Sequence, residues 1–145
     1  MTADTPDRSK NMDRARAAFN TVPVHRALGM QLDDIGTGEA RLSMPIADAV
    51  RQQHGFFHAG ALTALADSAA GTAAFTLLED SETVLSTNIS ISLMRPVSAE
   101  RIRAVGRVIK AGRRMLYCEA EIAAETDPDN ILVKASVTLI REVMK

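Results

Sequence analysis

Apolar and polar residues alternate with a period of two through the second half of the chain, the pattern of strands that bury one face. In 83–94, TVLSTNISISLM, Leu85, Thr87, Ile89, Ile91 and Leu93 fall on one side and Ser86, Asn88, Ser90 and Ser92 on the other. In 101–110, Arg101, Arg103 and Arg107 oppose Ile102, Ala104 and Val108. In 114–124, Leu116, Cys118, Ala120 and Ile122 oppose Tyr117, Glu119 and Glu121. A fourth segment, ILVKASVTLI, covers 131–140. RPVSAE, KAGRR and TDPDN lie between these segments and carry good turn residues.

The first half reads differently. Residues 1–10 form a polar tail expected to be disordered, and 11–145 a single domain. Residues 11–20 suit a helix, and NTVPVHRALG continues as a short helical turn ending at Gly29. Residues 30–46 suit two short strands or one bulged strand, stopped by Pro45. The Ala- and Leu-rich segment from about 58 to 78 predicts a long helix. Strands that come in a run, without helices between them, give an α+β fold with an antiparallel sheet. The helix needs cover and the sheet has one apolar face, so the economical arrangement wraps the sheet around the helix.

From Ala59 to Leu78 the helical segment carries one charge, Asp67. A helix apolar all round either spans a membrane or is enclosed by protein. Its Ala, Ser and Thr content is only mildly hydrophobic, and the flanking strands suit a soluble sheet. Enclosure is therefore the expectation, with small residues that let neighbouring backbones approach, a partner chain's included. An enclosed Asp67 must be paired or line a cavity, and desolvation would raise its pKa. It serves either a core hydrogen bond or chemistry.

Composition narrows the classes. A length of 145 residues suits one domain. The 17 Lys and Arg against 18 Asp and Glu leave a net charge of −1, so no electrostatic case exists for nucleic acid or an anionic membrane. With no Trp and one Tyr, base-stacking platforms are not expected. Cys118 is alone, cannot form an internal disulfide, and fits a reducing compartment. Residues 1–20 hold no apolar run of the signal-peptide kind. A soluble cytoplasmic protein is expected.

The stretch QQHGFFHAGALTALAD resembles the signature of hotdog-fold thioesterases, specifically the phenylacetate-degradation-type (PaaI-like) acyl-CoA thioesterases. That signature places Gln52, Gly55, His58-Ala59-Gly60 and Asp67 at the family's spacings. STNISISLMRPV and AGRRMLYCEAEI resemble the family's strand ending in an Arg-Pro turn and its Gly-Arg turn. The likeness runs from about residue 24 to 141. It implies a helix wrapped by an antiparallel sheet, dimers that pair sheets edge to edge, often as tetramers, and hydrolysis of acyl-CoA thioesters. Two departures stand out. Ala59 replaces a common Gly, and Asp67 is combined with Gln52 where subgroups pair Asp with Asn or Glu with Gln.

Thioester hydrolysis needs a nucleophile or a base that activates water, and Asp67 suits either. Ala59 stands where the long helix begins, so its N–H is the expected oxyanion donor, with Gly60 allowing close approach. Gln52 would orient water or thioester, and His58 would hold the loop or contact the thioester. The likeness places the Ser86 hydroxyl near the acid. Ser68 and Thr72 are further candidates on the helix. Arg95, Arg113 and Arg114 sit in turns and suit CoA phosphates. Phe57, like Phe56, Met30, Met44 and Met94, suits either an acyl pocket or the core. Nine helical residues rise about 13.5 Å. His58 and Asp67 of one chain are therefore too far apart to act on one thioester, which predicts an active site shared between two subunits. His54 and His58 have zinc-like spacing, but that needs a helix through Gly55 and a third ligand, so no metal is expected, and no cofactor. The sequence also has no G-x-S-x-G or G-x-G-x-x-G motif. Alternatives are an acyl-CoA-binding protein that does not cleave its ligand, and a dehydratase, which wants a paired His and acid.

Overall fold

Alanine dominates the buried side of the central helix, and that composition sets how closely a sheet can approach it. The computed structural model describes residues 8–145. Helices α1 (Arg8–Thr21) and α2 (Pro23–Ala27) precede the hairpin β1 (Gln31–Gly36) and β2 (Glu39–Pro45). A short 3-10 turn, Asp48–Val50, leads to α3 (Ala59–Phe75). Strands β3 (Glu82–Leu93), β4 (Arg101–Ala111), β5 (Met115–Ala124) and β6 (Val133–Val143) complete the chain. All six strands form one antiparallel sheet in the order β1-β2-β4-β5-β6-β3. Both the α+β class and the helix laid against a wrapping sheet follow the sequence expectation.

Ala61, Leu62, Leu65, Ala66, Ala69, Ala70, Ala73 and Ala74 of α3 are buried. They face Leu42, Met44, Ile102, Ala104, Leu116, Ile122 and the inward residues of β6 in one core. Contact is closest at Gly106 of β4, where a Cβ would fall 2.3 Å from the Ala69 carbonyl oxygen. No side chain fits there, so α3 rests backbone to backbone on the middle of the sheet.

Several boundaries differ from the expected ones, among them the last strand, expected at 131–140 and found at Val133–Val143. Residues 1–7 of the expected tail lie outside the described residues, and Arg8, Ser9 and Lys10 form the first turn of α1. The central helix ends at Phe75, short of residue 78. There the Thr76 hydroxyl donates to the Ala73 carbonyl (2.7 Å) and accepts from the Gly38 N–H (2.8 Å), while Leu77 and Leu78 close shorter i→i+3 bonds. The helix end is thereby tied to the β1–β2 turn. Residues 31–45 form two paired strands rather than one bulged strand, although the first of them carries a bulge between Leu32 and Asp34.

The unbroken alternation expected in β3 is overturned. Ser86 pairs with Leu139 but Asn88 with Thr138, so Thr87 is an extra residue in a bulge. Directly opposed residues share a face in an antiparallel pair. Leu139, Val137, Ala135 and Val133 of β6 are buried against the helix. Ser86, Ile89, Ile91 and Leu93 therefore lie on the helix side, and Leu85 lies on the outer side. A one-residue slip exchanges faces, and the bulge supplies one in mid-strand. β3 is also a free edge of the sheet, with Ile89 38% and Leu93 46% exposed despite facing inward.

α1 packs beside the C-terminal end of α3. The Arg14 guanidinium donates to the Leu78, Glu79 and Asp80 carbonyls and lies 5.5 Å from the Phe75 ring centroid. The Lys10 ammonium beside Asp80 holds that carboxyl below its usual range. No helix among the described residues is long and apolar enough to cross a membrane.

Gly106→Ala is expected to cost about 2 kcal/mol or more, because backbone must move to admit the methyl. A thermal melt unchanged from wild type would refute the close approach. Burial pushes the Cys118 thiol up to about 12. A thiol-disulfide reagent at neutral pH should therefore leave the native protein unmodified and react with one thiol per chain in denaturant.

Candidate active site

Residues 50–58 form a loop held at both ends. The Phe57 N–H donates to the Val97 carbonyl (2.9 Å) and the His58 N–H to the Val50 carbonyl (2.8 Å). Within it the chain reverses at Gly55, whose φ of +89° is the left-handed conformation that glycine adopts freely. The Gln52 N–H donates to the Phe56 carbonyl and its side-chain oxygen accepts from the His54 N–H. That commits Oε1 of Gln52 to the turn and leaves Nε2 to donate. His54 lies in this turn and His58 precedes α3, so the pair is not on one helix face. Among the described residues no group of three metal-ligating side chains gathers.

His58 is the N-cap of α3. Its Nδ1 accepts from the Gly60 N–H (2.8 Å) and its carbonyl from the Leu62 N–H (3.0 Å). The Ala59 N–H, in the first turn, has no intrahelical acceptor and takes no other among the described residues. A donor at the positive end of a helix is thus open to a ligand. Gly60 has a local role: a Cβ there would lie 3.0 Å from His58 Nδ1, so glycine leaves room for the capping ring.

Gln52, Phe57, His58, Ala59 and Arg95 line one pocket of about 550 Å³, with Phe56, Leu93 and Met94 among its apolar walls. Phe57 is 4% exposed, so it belongs to the core and to the pocket floor alike. Met30 and Met44 lie in the core. Asp67 is elsewhere. It lies with Ser86 in a second pocket of about 360 Å³ between α1, α2, α3, β3 and β6. The full enclosure expected of Asp67 is not found in a single chain: the residue is half-buried and opens into this pocket. The Ser86 hydroxyl donates to its Oδ1 at 2.6 Å. The bulge at Thr87 makes this contact possible, since it keeps Ser86 on the helix side while the strand beyond it turns its isoleucines inward.

Ala59 and Asp67 thus line different pockets of one chain, at opposite ends of the first nine helical residues of α3. Arg113 and Arg114, in the exposed β4–β5 turn, line neither pocket. The residue that sequence reasoning missed is His25. It is buried, stacks on Phe19 at 4.2 Å, and joins Ser68 Oγ through Nε2 at 3.0 Å. Its partner is 43 residues away, so no local pattern marks the pair.

A family model for the thioesterase superfamily matches residues 54–131. The chain is 31% identical over 98 residues to the proofreading thioesterase EntH of Cronobacter turicensis, covering 68% of this chain and 72% of that protein. The crystal structure of a thioesterase family protein from Silicibacter pomeroyi superposes with a TM-score of 0.87 at 32% identity, over 92% of this chain and 98% of that one. The E. coli PaaI protein from the phenylacetic acid degradation operon shares the fold, with a TM-score of 0.83 at 20% identity over 95% of this chain and 99% of that one. The antiparallel sheet laid around α3 accords with these matches. By that match and that fold this chain belongs to the thioesterase superfamily, as a hotdog-fold thioester hydrolase.

Proposed function

We propose that the protein hydrolyses acyl-CoA thioesters at a site completed by two subunits. Support comes chiefly from the division of the expected machinery between two pockets of one chain. β3 connects them along the sheet edge: Ser86 lines the Asp67 pocket and Leu93 the Ala59 pocket. The edge is free, and its inward residues Ile89 and Leu93 are exposed. Two-fold antiparallel pairing of β3 with a second copy, centred near Ile89, sets residue 86 of one chain opposite residue 92 of the other. The Asp67 pocket of each chain then meets the Ala59 pocket of its partner.

In that arrangement the Ala59 N–H takes the charge that develops on the thioester oxygen, and Gln52 Nε2 orients the reacting group. Asp67, steadied by Ser86, delivers an electron pair to the carbonyl carbon, directly or through a water it deprotonates. The leaving thiolate has an ordinary pKa of about 8.5, so departure needs no strong general acid. Arg95 at the pocket edge suits the CoA phosphates. Arg113 and Arg114 would reach a CoA only across a subunit boundary. Phe57 would floor the site.

Asp67→Asn should lower kcat by about a thousandfold, in a protein with an unchanged melt, as read by release of CoA thiol. Activity kept within a few-fold would reduce Asp67 to a core residue. Gln52→Ala should be nearly inactive as well. After subunit exchange at equal amounts, half of the dimers are mixed and carry one intact site, so activity should return to about a quarter of wild type. Exchange demonstrated by mass, with no recovery, would exclude a shared site.

A further inference from the structure

The Asp67 pocket has an uneven supply of hydrogen-bonding groups. His25 Nδ1 lies 2.9 Å from the Phe19 carbonyl, which can only accept, so Nδ1 carries the ring proton. In the neutral imidazole Nε2 is then the acceptor, and the Ser68 hydroxyl must donate to it across 3.0 Å. The other hydroxyls follow suit. Thr72 donates to the Ser68 carbonyl (2.7 Å), Thr21 to the Ala18 carbonyl (2.7 Å) and Ser86 to Asp67 (2.6 Å). Only Thr83 of the lining hydroxyls keeps a proton without an acceptor among the described residues. Four hydroxyls and a carboxylate therefore offer the pocket lone pairs, and almost nothing in it offers a proton.

We infer that this pocket is the acyl chamber and that it selects acyl groups carrying a hydroxyl donor over those carrying an extra carbonyl or carboxylate. The inference rests on the proposed acyl-CoA site and names its substrate class. A substrate hydroxyl donates to Ser68 or Thr72, whose orientations are fixed before it arrives. An oxo group of the same size brings a second acceptor against lone pairs and loses its water without a replacement bond. An unsubstituted chain falls between, since the remaining walls, Phe19, Val22, Phe75 and Leu139 among them, are apolar. His25 acts as a positioning residue, because it dictates which way the Ser68 proton points.

The test uses analogues of hexanoyl-CoA in which a methylene replaces the thioester sulfur, so that binding is measured without turnover. The hydroxyhexanoyl isomers are compared with the oxohexanoyl isomers by calorimetry on the full chain. The best hydroxy isomer should bind about tenfold or more tightly than its oxo counterpart. His25→Phe keeps the stack on Phe19 but releases the Ser68 proton to the pocket, and should shrink that ratio several-fold while the unsubstituted analogue changes little. Thr72→Val should shrink it too. A purely structural role for His25 would weaken all three analogues alike and leave the ratio standing, which would overturn the positioning role. Equal affinity for hydroxy and oxo forms in wild type would overturn the selection itself. Because binding is read separately, absence of thioester turnover would count against the proposed reaction and leave the binding ratio to judge the chamber.

Discussion

The bare contact between Gly106 and the Ala69 carbonyl is the constraint on which the rest of the molecule depends. A methyl on β4 at that point would displace α3 from the sheet. The alanines along α3 repeat the same economy over its length, so the helix gains contact through its backbone rather than through long side chains. Such seating fixes depth and rotation together. It leaves the remaining face of α3, with Asp67 and Ser68, toward α1, α2 and β3, where side chains are sparse enough for a pocket to remain.

The bulge in β3 does for the edge what Gly106 does for the centre. An unbroken strand would put Ser86 and the isoleucines on opposite faces, and either the hydroxyl or the apolar row would be misplaced. One extra residue lets the strand present a hydrogen-bond donor to Asp67 at one end and an apolar row at the other. The edge keeps its backbone groups free along most of this length. It also exposes inward-facing Ile89 and Leu93, which a single chain does not cover.

Much of this was legible in the sequence because it is written in short-range signals. Alternation marked β4 and β5 closely, alanine content marked α3, and Gln52, His58-Ala59-Gly60 and Asp67 form a spaced motif within sixteen positions. The bulge escaped because TVLSTNISISLM alternates equally well if a residue is skipped, and only the partner strand decides. The helix end escaped because Thr76 stops α3 through a bond to Gly38, a residue far back in the chain. His25 escaped for the same reason, since its role is defined by Phe19 and Ser68 and not by its neighbours. What pairwise contact decides across long separations is not periodic, and so leaves no mark in the alternation of the chain.

α3 also acts as a ruler. Its first residue opens into one pocket and Asp67, a little over two turns later, into another, with no flexible joint between them. One residue inserted between Ala59 and Asp67 would rotate everything beyond it by about 100° about the helix axis. The carboxylate would leave its pocket, and the seat on Gly106 would be lost in the same movement. Divergence in this segment can thus change side chains but not length, and the count of residues between cap and carboxylate is a harder constraint than the identity of most residues along it.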